Sequence, residues 1–398
     1  MEFIPRTLGT RPRLACEVRA EGVVAARAED ASGQLSAVSR VALADGIAVP
    51  QLRVGNAVGA VSGPAAVNPS VNGAGPSSAG ASAASSAADR AAVVDAVRKA
   101  LEAVALRTRE VTLVVPDAAV RVLLLDFDAL PGKLAEALPV VRFRLKKLLP
   151  FDADDAAVSY QVMSTSKGIV RVVAVAMPRE VLAEYESVVR EAGFEPGAVL
   201  PSTLAALAGL PERETPVLVV NAGRHGVTTA IVKAGLLLLH RMVDLGSEQP
   251  AELAAGAFRP AEEGVRLPLV DRETSAEEWA RQEPVRYGDA IDAAAAMQTA
   301  VLERELTAER GIAMATSEVV QAVSVAAAYF EDTLETAPGV VLATGPMGAE
   351  ELAAVFEYAG MGAVPVEEMV DRAMLGAGAA TARIPLGWLA GVRGALAD

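Results

Sequence analysis

Cysteine and histidine are nearly absent from this sequence, which has one Cys and two His among its 398 residues. A single thiol cannot form an intrachain disulfide. Three such side chains are also too few for a structural zinc site with four ligands. These absences argue against a fold held together by disulfides or zinc. The composition suits the cytosol, where we expect the protein to act.

The sequence also lacks any run of the ~18 strongly apolar residues that a membrane helix needs. The N-terminus contains arginines but no apolar segment of ~7–15 residues, so it does not have the pattern of a signal peptide. The longest uncharged run, residues 54–88, consists mainly of Gly, Ala, Ser, Val, Pro and Asn. Such residues bury too little apolar surface to cross a bilayer, and we expect no transmembrane span.

An excess of basic residues is missing too, because the formal net charge is −14. An acidic surface repels the phosphate backbones of DNA and RNA, so we expect no nucleic-acid partner. The sequence does have 52% apolar residues, which is enough for a large core. Its length predicts two or three domains.

The order of the hydrophobic patterns predicts an α/β protein with two related halves. Three short strands joined by turns occur in residues 14–43 and again in residues 217–246. Each meander is followed later in the chain by helices and buried strands, as in mixed sheets. Apolar residues at helical spacing predict one helix over residues 89–106 and a longer one over residues 317–336.

Three segments have other patterns. Residues 54–88 carry no charge and no aromatic side chain, which predicts a flexible surface insertion. Residues 247–317 are more polar and irregular. The hexapeptide "RFRLKK" at residues 142–147 is either a patch for anionic lipid or a motor protein, or a set of cations that complements a helix dipole. We favour the dipole explanation, because it is the more common one.

Four motifs follow one another along the chain. They are the opening meander "LACEVRAEGVVAARAE", the pair "FRLKKLLPFDADDAAVSYQVM" and "VVAVAMPREVLAEYESVVREAGFEP", the hairpin "VLVVNAGRHGVTTAIV", and the turn "VVLATGPMGAEELAAVF". Each is common alone, but their order covers nearly the whole chain. It resembles the actin-like ATPase superfamily, and more narrowly the PilM family of type IV pilus assembly, whose kin are FtsA and the cytoplasmic part of GspL.

The resemblance implies an α/β, actin-like two-lobed fold with ribonuclease H-like halves and an inserted FtsA/PilM-type subdomain. The implied boundaries are residues 1–110 and 197–215 for the first subdomain, 111–196 for the inserted module, 216–246 and 318–398 for the second subdomain, and 247–317 for a small helical or irregular subdomain.

The resemblance also implies a cleft for ATP and Mg²⁺ between glycine-containing turns. Matching the motifs to the family gives these cofactor-site residues: Glu17, Arg19 and Gly22 in the first turn, Asn221, Gly223, Arg224 and Thr228 in the second, and Gly345 and Met347 in the adenosine turn.

Several of these positions depart from the family pattern. Glu17 stands where the family has a shorter acid, and its extra methylene displaces a metal by about an ångström, which can lower a rate ~100-fold. Arg19 replaces a glycine that lets phosphate approach. Asn221 brings no charge to a metal and cannot act as a base, and Pro346 removes a backbone donor. We therefore predict weak nucleotide binding, negligible hydrolysis, no catalytic residue and no metal ligand.

The function that the resemblance implies is that of a cytoplasmic adaptor, peripheral at the inner membrane. PilM-like proteins bind the N-terminal cytoplasmic tail of the inner-membrane protein PilN and connect it to the pilus motors. The first subdomain and the inserted module grip that tail. The alternatives are a GspL-like component of type II secretion, an active ATPase or kinase on the actin fold, and a filament-forming actin.

Overall fold

The computed structural model describes residues 12–30, 33–50, 52, 78–166, 168–224, 226–245, 317–336, 338–358, 360, 362, 364–380 and 383–397. Contacts divide the chain into two compact units, residues 1–245 with 318–398 and residues 246–317. The first unit contains nearly all of the described residues. The expected small subdomain at residues 247–317 lies outside them except for Ser317, as does most of the expected flexible insertion.

The described strands are β1 (Leu14–Arg19), β2 (Gly22–Ala28), β3 (Leu35–Ala42), β4 (Glu110–Val115), β5 (Arg121–Phe127), β6 (Ala156–Ser166), β7 (Ile169–Pro178), β8 (Glu195–Pro201), β9 (Val217–Gly223), β10 (Gly226–Lys233), β11 (Leu236–Asp244), β12 (Val341–Thr344) and β13 (Val366–Glu368). The described helices are α1 (Ser78–Val104), α2 (Leu134–Leu145), α3 (Arg179–Glu191), α4 (Ser202–Ala208), α5 (residues 317–334), α6 (Ala349–Tyr358), α7 (Ala377–Ala380) and α8 (Ala390–Leu396).

Two five-stranded sheets share one topology. The first has the order β3-β2-β1-β4-β8 and the second has the order β11-β10-β9-β12-β13. In each sheet an antiparallel meander supplies three strands. A fourth strand pairs in parallel with the first strand of the meander, and a fifth pairs in parallel with the fourth. This repeat confirms the predicted pair of ribonuclease H-like halves.

Helices cover both faces of each sheet. Alternation along β1 places Leu14, Cys16 and Val18 on the face that α1 and α3 bury. The outer face of the second sheet is buried by α5 and α6, with Phe330 and Phe356 at the centre of that core. Between the two sheets lie α4 and α8, which pack in a cluster shared by both sheets.

Helix α1 differs from the expectation at its beginning. It begins at Ser78, inside the segment predicted to be flexible. The reason is composition, since residues 78–88 are mostly Ala and Ser, and Ala has the highest intrinsic helix propensity. The predicted stripe further along the helix is correct, because Val94, Val97 and Leu101 are all buried.

A third sheet, with the antiparallel order β5-β7-β6, forms the core of the inserted module. Helix α2 packs on one face of it through Ala137, Val141 and Leu145. The helical spacing of Leu134, Leu138, Val141, Leu145 and Leu148 predicts one buried face for all five, but Leu134 and Leu148 are exposed. Leu134 opens the helix and Leu148 follows its last residue, so neither side chain is covered by the small sheet.

Two segments lie outside the subdomains expected for them. Strand β4 pairs in parallel with β1, so it is part of the first sheet although the module was expected to begin at residue 111. Helix α8 was expected in the second subdomain, but it packs against α4 and the first sheet. It is buried on almost all sides, not on one stripe as an amphipathic helix would be, because it lies between two sheets.

The hydrophobic core between α5 and the second sheet allows a test of the packing there. Replacing the fully buried Phe330 by Ala leaves a cavity, and we expect the free energy of unfolding to fall by about 3–5 kcal/mol. Val325→Ala on the exposed face of the same helix is the matched control, with an expected change within about 0.5 kcal/mol. Urea denaturation measures both, and equal losses would contradict this packing.

Candidate functional site

Arg19, the last residue of β1, lies buried between the two five-stranded sheets. Its Nε donates a hydrogen bond to Glu17 Oε1 at 2.6 Å. Its Nη1 donates to Asn221 Oδ1 at 3.1 Å, and its Nη2 donates to Ser202 Oγ at 2.6 Å. One guanidinium therefore joins the first sheet, helix α4 and the second sheet.

A second carboxylate extends this network. Asp117 accepts hydrogen bonds from the Thr203 amide at 3.1 Å and from the Thr203 hydroxyl. Asn221 Nδ2 lies 2.9 Å from Thr203 Oγ1, 3.0 Å from Ser202 Oγ and 3.3 Å from Asp117 Oδ2. The Ser202 hydroxyl also donates to Glu17 Oε1 at 2.7 Å. Hydrogen bonds thus link six buried polar side chains, which are Glu17, Arg19, Asp117, Ser202, Thr203 and Asn221.

Sheet topology explains why these residues meet. Strands β1, β4 and β8 run in parallel, so their carboxyl ends lie at one edge of the first sheet. Arg19 ends β1, Asp117 follows β4, and Ser202 follows β8. The sequence analysis missed Asp117, Ser202 and Thr203. The signal that points to them is a polar residue directly after a buried strand, as in "VVPD" and "VLPST".

The two glycine-containing turns contact each other directly. The backbone amide of Arg224 donates to a carboxylate oxygen of Glu21, which connects the second turn to the first. The Arg224 guanidinium pairs with Asp45 at 2.6 Å, in an exposed position. A Cβ at Gly223 would come within 2.9 Å of Glu21 Oε1. Glycine here allows the turns to approach each other.

The adenosine turn is also closed by protein groups. Gly345 has φ of +90°, and its amide donates to Gly387 O at 2.8 Å. A Cβ on Gly345 would overlap Asn221 Oδ1, so only glycine fits. The Met347 amide donates to Ala222 O at 3.0 Å. Both backbone donors of this turn are therefore bonded within the protein.

Gly22 and Thr228 are packed against neighbouring strands of their own sheets. Gly22 has φ of +151°, and a Cβ there would meet the Val41 carbonyl of β3, so the glycine is needed by the sheet itself. Thr228 lies opposite Asn221 in the β9–β10 pair and is buried. The structure thus joins Glu17, Arg19 and Asn221 by hydrogen bonds, and it places the other predicted site residues around them.

Burial of the Glu17 carboxyl raises its pKa, and the neighbouring Arg19 and Ser202 oppose that shift by stabilising the carboxylate. Its Oε2 has no hydrogen-bond partner in the described part of the chain. Helix α8 passes so close to this oxygen that a Cβ at Gly391 would overlap it. The carboxylate is therefore held against protein on every side, with Arg19 as its counter-ion.

The space that remains between the turns is a cavity of about 50 Å³, lined by Arg19, Glu21, Asp117, Asn221 and Thr228. That volume holds one or two waters at ~30 Å³ each. Sites for ligands of ATP size are ~300–1,000 Å³. The residues present therefore do not fit Mg²⁺-ATP in this arrangement. Within the described ranges, no three acids, cysteines or histidines are grouped as metal ligands.

A larger cavity of about 280 Å³ lies elsewhere, between the first sheet and the inserted module. Val115 of β4 and Val199 of β8 line one side of it. Ser159 of β6, Met177 of β7 and Leu182 of α3 line the other. The lining is mainly apolar, and Ser159 is exposed at its edge. We call this space the module groove.

The two repeated sheets with an inserted module define an actin-like two-lobed fold, and one solved structure shares it. This chain matches the structure titled "PilM-PilN type IV pilus biogenesis complex" with a TM-score of 0.59, over 97% of this chain and 98% of that chain, at 15% identity. The fold is therefore that of a PilM-type actin-like protein. At such low identity the match establishes the fold alone.

Other comparisons add less. The cytoplasmic domain of EpsL, an inner-membrane component of type II secretion in Vibrio cholerae, matches with a TM-score of 0.34 at 14% identity, over 63% of this chain and 78% of that one. The ethanolamine utilization protein EutJ from Carboxydothermus hydrogenoformans matches with a TM-score of 0.39 at 11% identity, over 96% and 88%. Neither score supports an argument. No protein-family model matches this sequence, and no curated protein does.

None of the described helices has both the length and the apolar character that a transmembrane helix requires.

Removing the guanidinium tests the buried network. We expect Arg19→Ala to lower the free energy of unfolding by about 3–5 kcal/mol at pH 7, because Glu17 would stay buried without its counter-ion. The loss should be smaller at pH 5 than at pH 7, because burial raises the pKa of Glu17 and protonation removes its need for a counter-ion. Lys99→Ala, which removes an exposed ion pair with Asp95, should change stability by less than about 1 kcal/mol.

Denaturant titrations at both pH values measure these effects. Equal stability of Arg19→Ala and Lys99→Ala would show that the network does not hold the two sheets together.

Proposed function

We propose that this protein is a non-hydrolysing actin-fold adaptor of type IV pilus assembly. It binds the cytoplasmic N-terminal tail of a PilN-like inner-membrane protein, at the cytoplasmic face of that membrane, and connects it to the pilus motors. One observation carries the proposal. Arg19 is hydrogen-bonded between the two turns where the resemblance implies a nucleotide, whereas a separate groove is left open.

The Arg19 network supports the non-catalytic part of the proposal. A bound nucleotide places anionic phosphates between the two turns. Here Glu17 and Glu21 add negative charge at that place, and the guanidinium is already bonded to three protein side chains. Binding ATP would break those bonds and expose the Glu17 carboxylate to like charge. Weak or absent nucleotide binding and negligible hydrolysis follow.

The module groove supports the adaptor part. Apolar grooves with exposed edges bind short peptides, whose apolar side chains fill the pocket. The groove lies between the first sheet and the inserted module, which are the two parts that grip the PilN tail in the family that this sequence resembles. The solved structure with the same fold is itself titled as a complex of PilM with PilN.

The rival functions have less support. An active kinase or ATPase on this fold needs an open phosphate site, and the cavity of about 50 Å³ between the turns argues against it. Filament formation controlled by ATP needs the same open site. A GspL-like role in type II secretion would use the same adaptor architecture, and no contact among the described residues favours it over the pilus role.

Purified protein with Mg²⁺-ATP tests the non-catalytic part. We expect phosphate release at the background rate and no nucleotide-dependent rise in Tm, because the site is already occupied by Arg19. An active actin-fold kinase assayed in parallel serves as the positive control. Clear turnover that disappears in Glu17→Ala would overturn this part of the proposal.

A substitution that blocks the module groove tests the adaptor part of the proposal. We expect Ser159→Trp to weaken binding of the N-terminal peptide of the candidate bitopic partner about tenfold or more, because the indole fills the groove from its edge. Thr165→Trp is the control, since it is exposed on the same strand ~20 Å away at ~3.3 Å per residue. Calorimetric titration of both variants with the peptide measures the two affinities. Unchanged affinity of Ser159→Trp would place the tail elsewhere.

A further inference from the structure

Helix α2 has a second apolar surface that its own module does not bury. Ala137, Val141 and Leu145 face the three-stranded sheet. Phe143 lies on the opposite side of the helix and is 67% exposed, and Val140 beside it is 38% exposed. Leu134 and Leu148 are exposed at the two ends of the helix. We call Val140 and Phe143, together with the cations beside them, the α2 face.

The cations of this face fall into two groups. Arg142 donates to the carbonyls of Ala153 and Ala156, so it has a structural role. Lys133 and Lys146 pair with nearby acids of the module. In the described part of the chain, Arg144 and Lys147 form no ion pair, although both are exposed. Lys147 Nζ lies 5.9 Å from the centre of the Phe143 ring.

The charge of the module is unlike that of the chain. The whole protein carries −14, but residues 121–178 contain eight basic and six acidic residues. On α2 itself the exposed acid is Glu136, which pairs with Lys133, and the next acids along the chain, Asp152, Asp154 and Asp155, lie in the loop after the helix. A helix dipole accounts for cations at the end of α2. It does not account for the exposed Phe143 beside Arg144 and Lys147.

We propose that the α2 face binds the surface of an anionic phospholipid bilayer. Phe143 enters the boundary between headgroups and acyl chains, with Val140 beside it, and Arg144 and Lys147 meet the lipid phosphates. Aromatic and aliphatic side chains interleaved with Lys and Arg are the pattern of helices that lie in this interface. The long stems of Lys and Arg let their charges stay at headgroup level while apolar neighbours go deeper.

The contact is weak by itself, because few cations take part and the rest of the protein is acidic. It adds to any second attachment at the membrane by raising the effective concentration of the chain there. It does not depend on the module groove. Val175 and Met177 of β7 line that groove, whereas Ala174 and Ala176 of the same strand pack toward α2, so the two surfaces lie on opposite faces of β7.

Vesicle co-sedimentation with the full chain tests the proposal at low salt. We expect binding to vesicles of phosphatidylglycerol mixed with phosphatidylcholine, and none to phosphatidylcholine alone. Phe143→Ser should weaken binding about fivefold or more, and the double change Arg144→Glu with Lys147→Glu about tenfold or more. High salt should abolish binding by the unchanged protein, since screened cations no longer hold it.

Two controls match these variants. Leu106→Ser removes another exposed apolar side chain, and Lys99→Glu with Arg107→Glu changes the net charge by the same amount outside the α2 face. Both should bind like the unchanged protein. Equal binding by all variants, or no binding to anionic vesicles, would overturn the proposal. So would a dimer in solution that Phe143→Ser dissociates, because the face would then bind a second copy.

Discussion

The structure depends on the burial of one guanidinium. A cation taken out of water needs a counter-ion and several acceptors. Arg19 obtains them from Glu17 on its own strand, Ser202 at the start of α4 and Asn221 on the second sheet. Those three groups belong to different parts of the fold, so satisfying the cation fixes the parts against each other. A ligand between two lobes has the same effect, but here the protein supplies the charge itself.

The close approach of the surrounding backbone follows from this arrangement. Gly345 lies against Asn221, and Gly391 of α8 lies against Glu17, at distances that exclude any side chain. Glycines that bring backbone amides to phosphates in related sites here bring backbone to protein. The architecture of the actin-like fold is kept, while the proposed binding surfaces, the module groove and the α2 face, both involve the inserted module.

Much of the fold could be predicted because local patterns and tertiary packing agree. The two meanders appear as strand-turn-strand runs, and Val94, Val97 and Leu101 mark the buried stripe of α1 as expected. The prediction of the fold failed where the pairing or packing of a segment depends on residues far away in the sequence. No local signal shows that β4 pairs with β1 across nearly a hundred residues, or that α8 inserts between two sheets. Leu134 and Leu148 have the spacing of a core stripe, but the small sheet is too short to cover them.

The sequence by itself determined the residue types of the cleft, because Glu17, Arg19 and Asn221 stand at positions that a motif comparison can align. It therefore determined that an acid, a cation and an amide would stand near the ends of two predicted strands. Only the tertiary structure decided which groups they bond with. Hydrogen bonds between residues about 200 positions apart depend on which strand ends meet, and strand order and packing set that meeting. The partners of Arg19, and the inclusion of Asp117 and Thr203, were therefore decided by the fold.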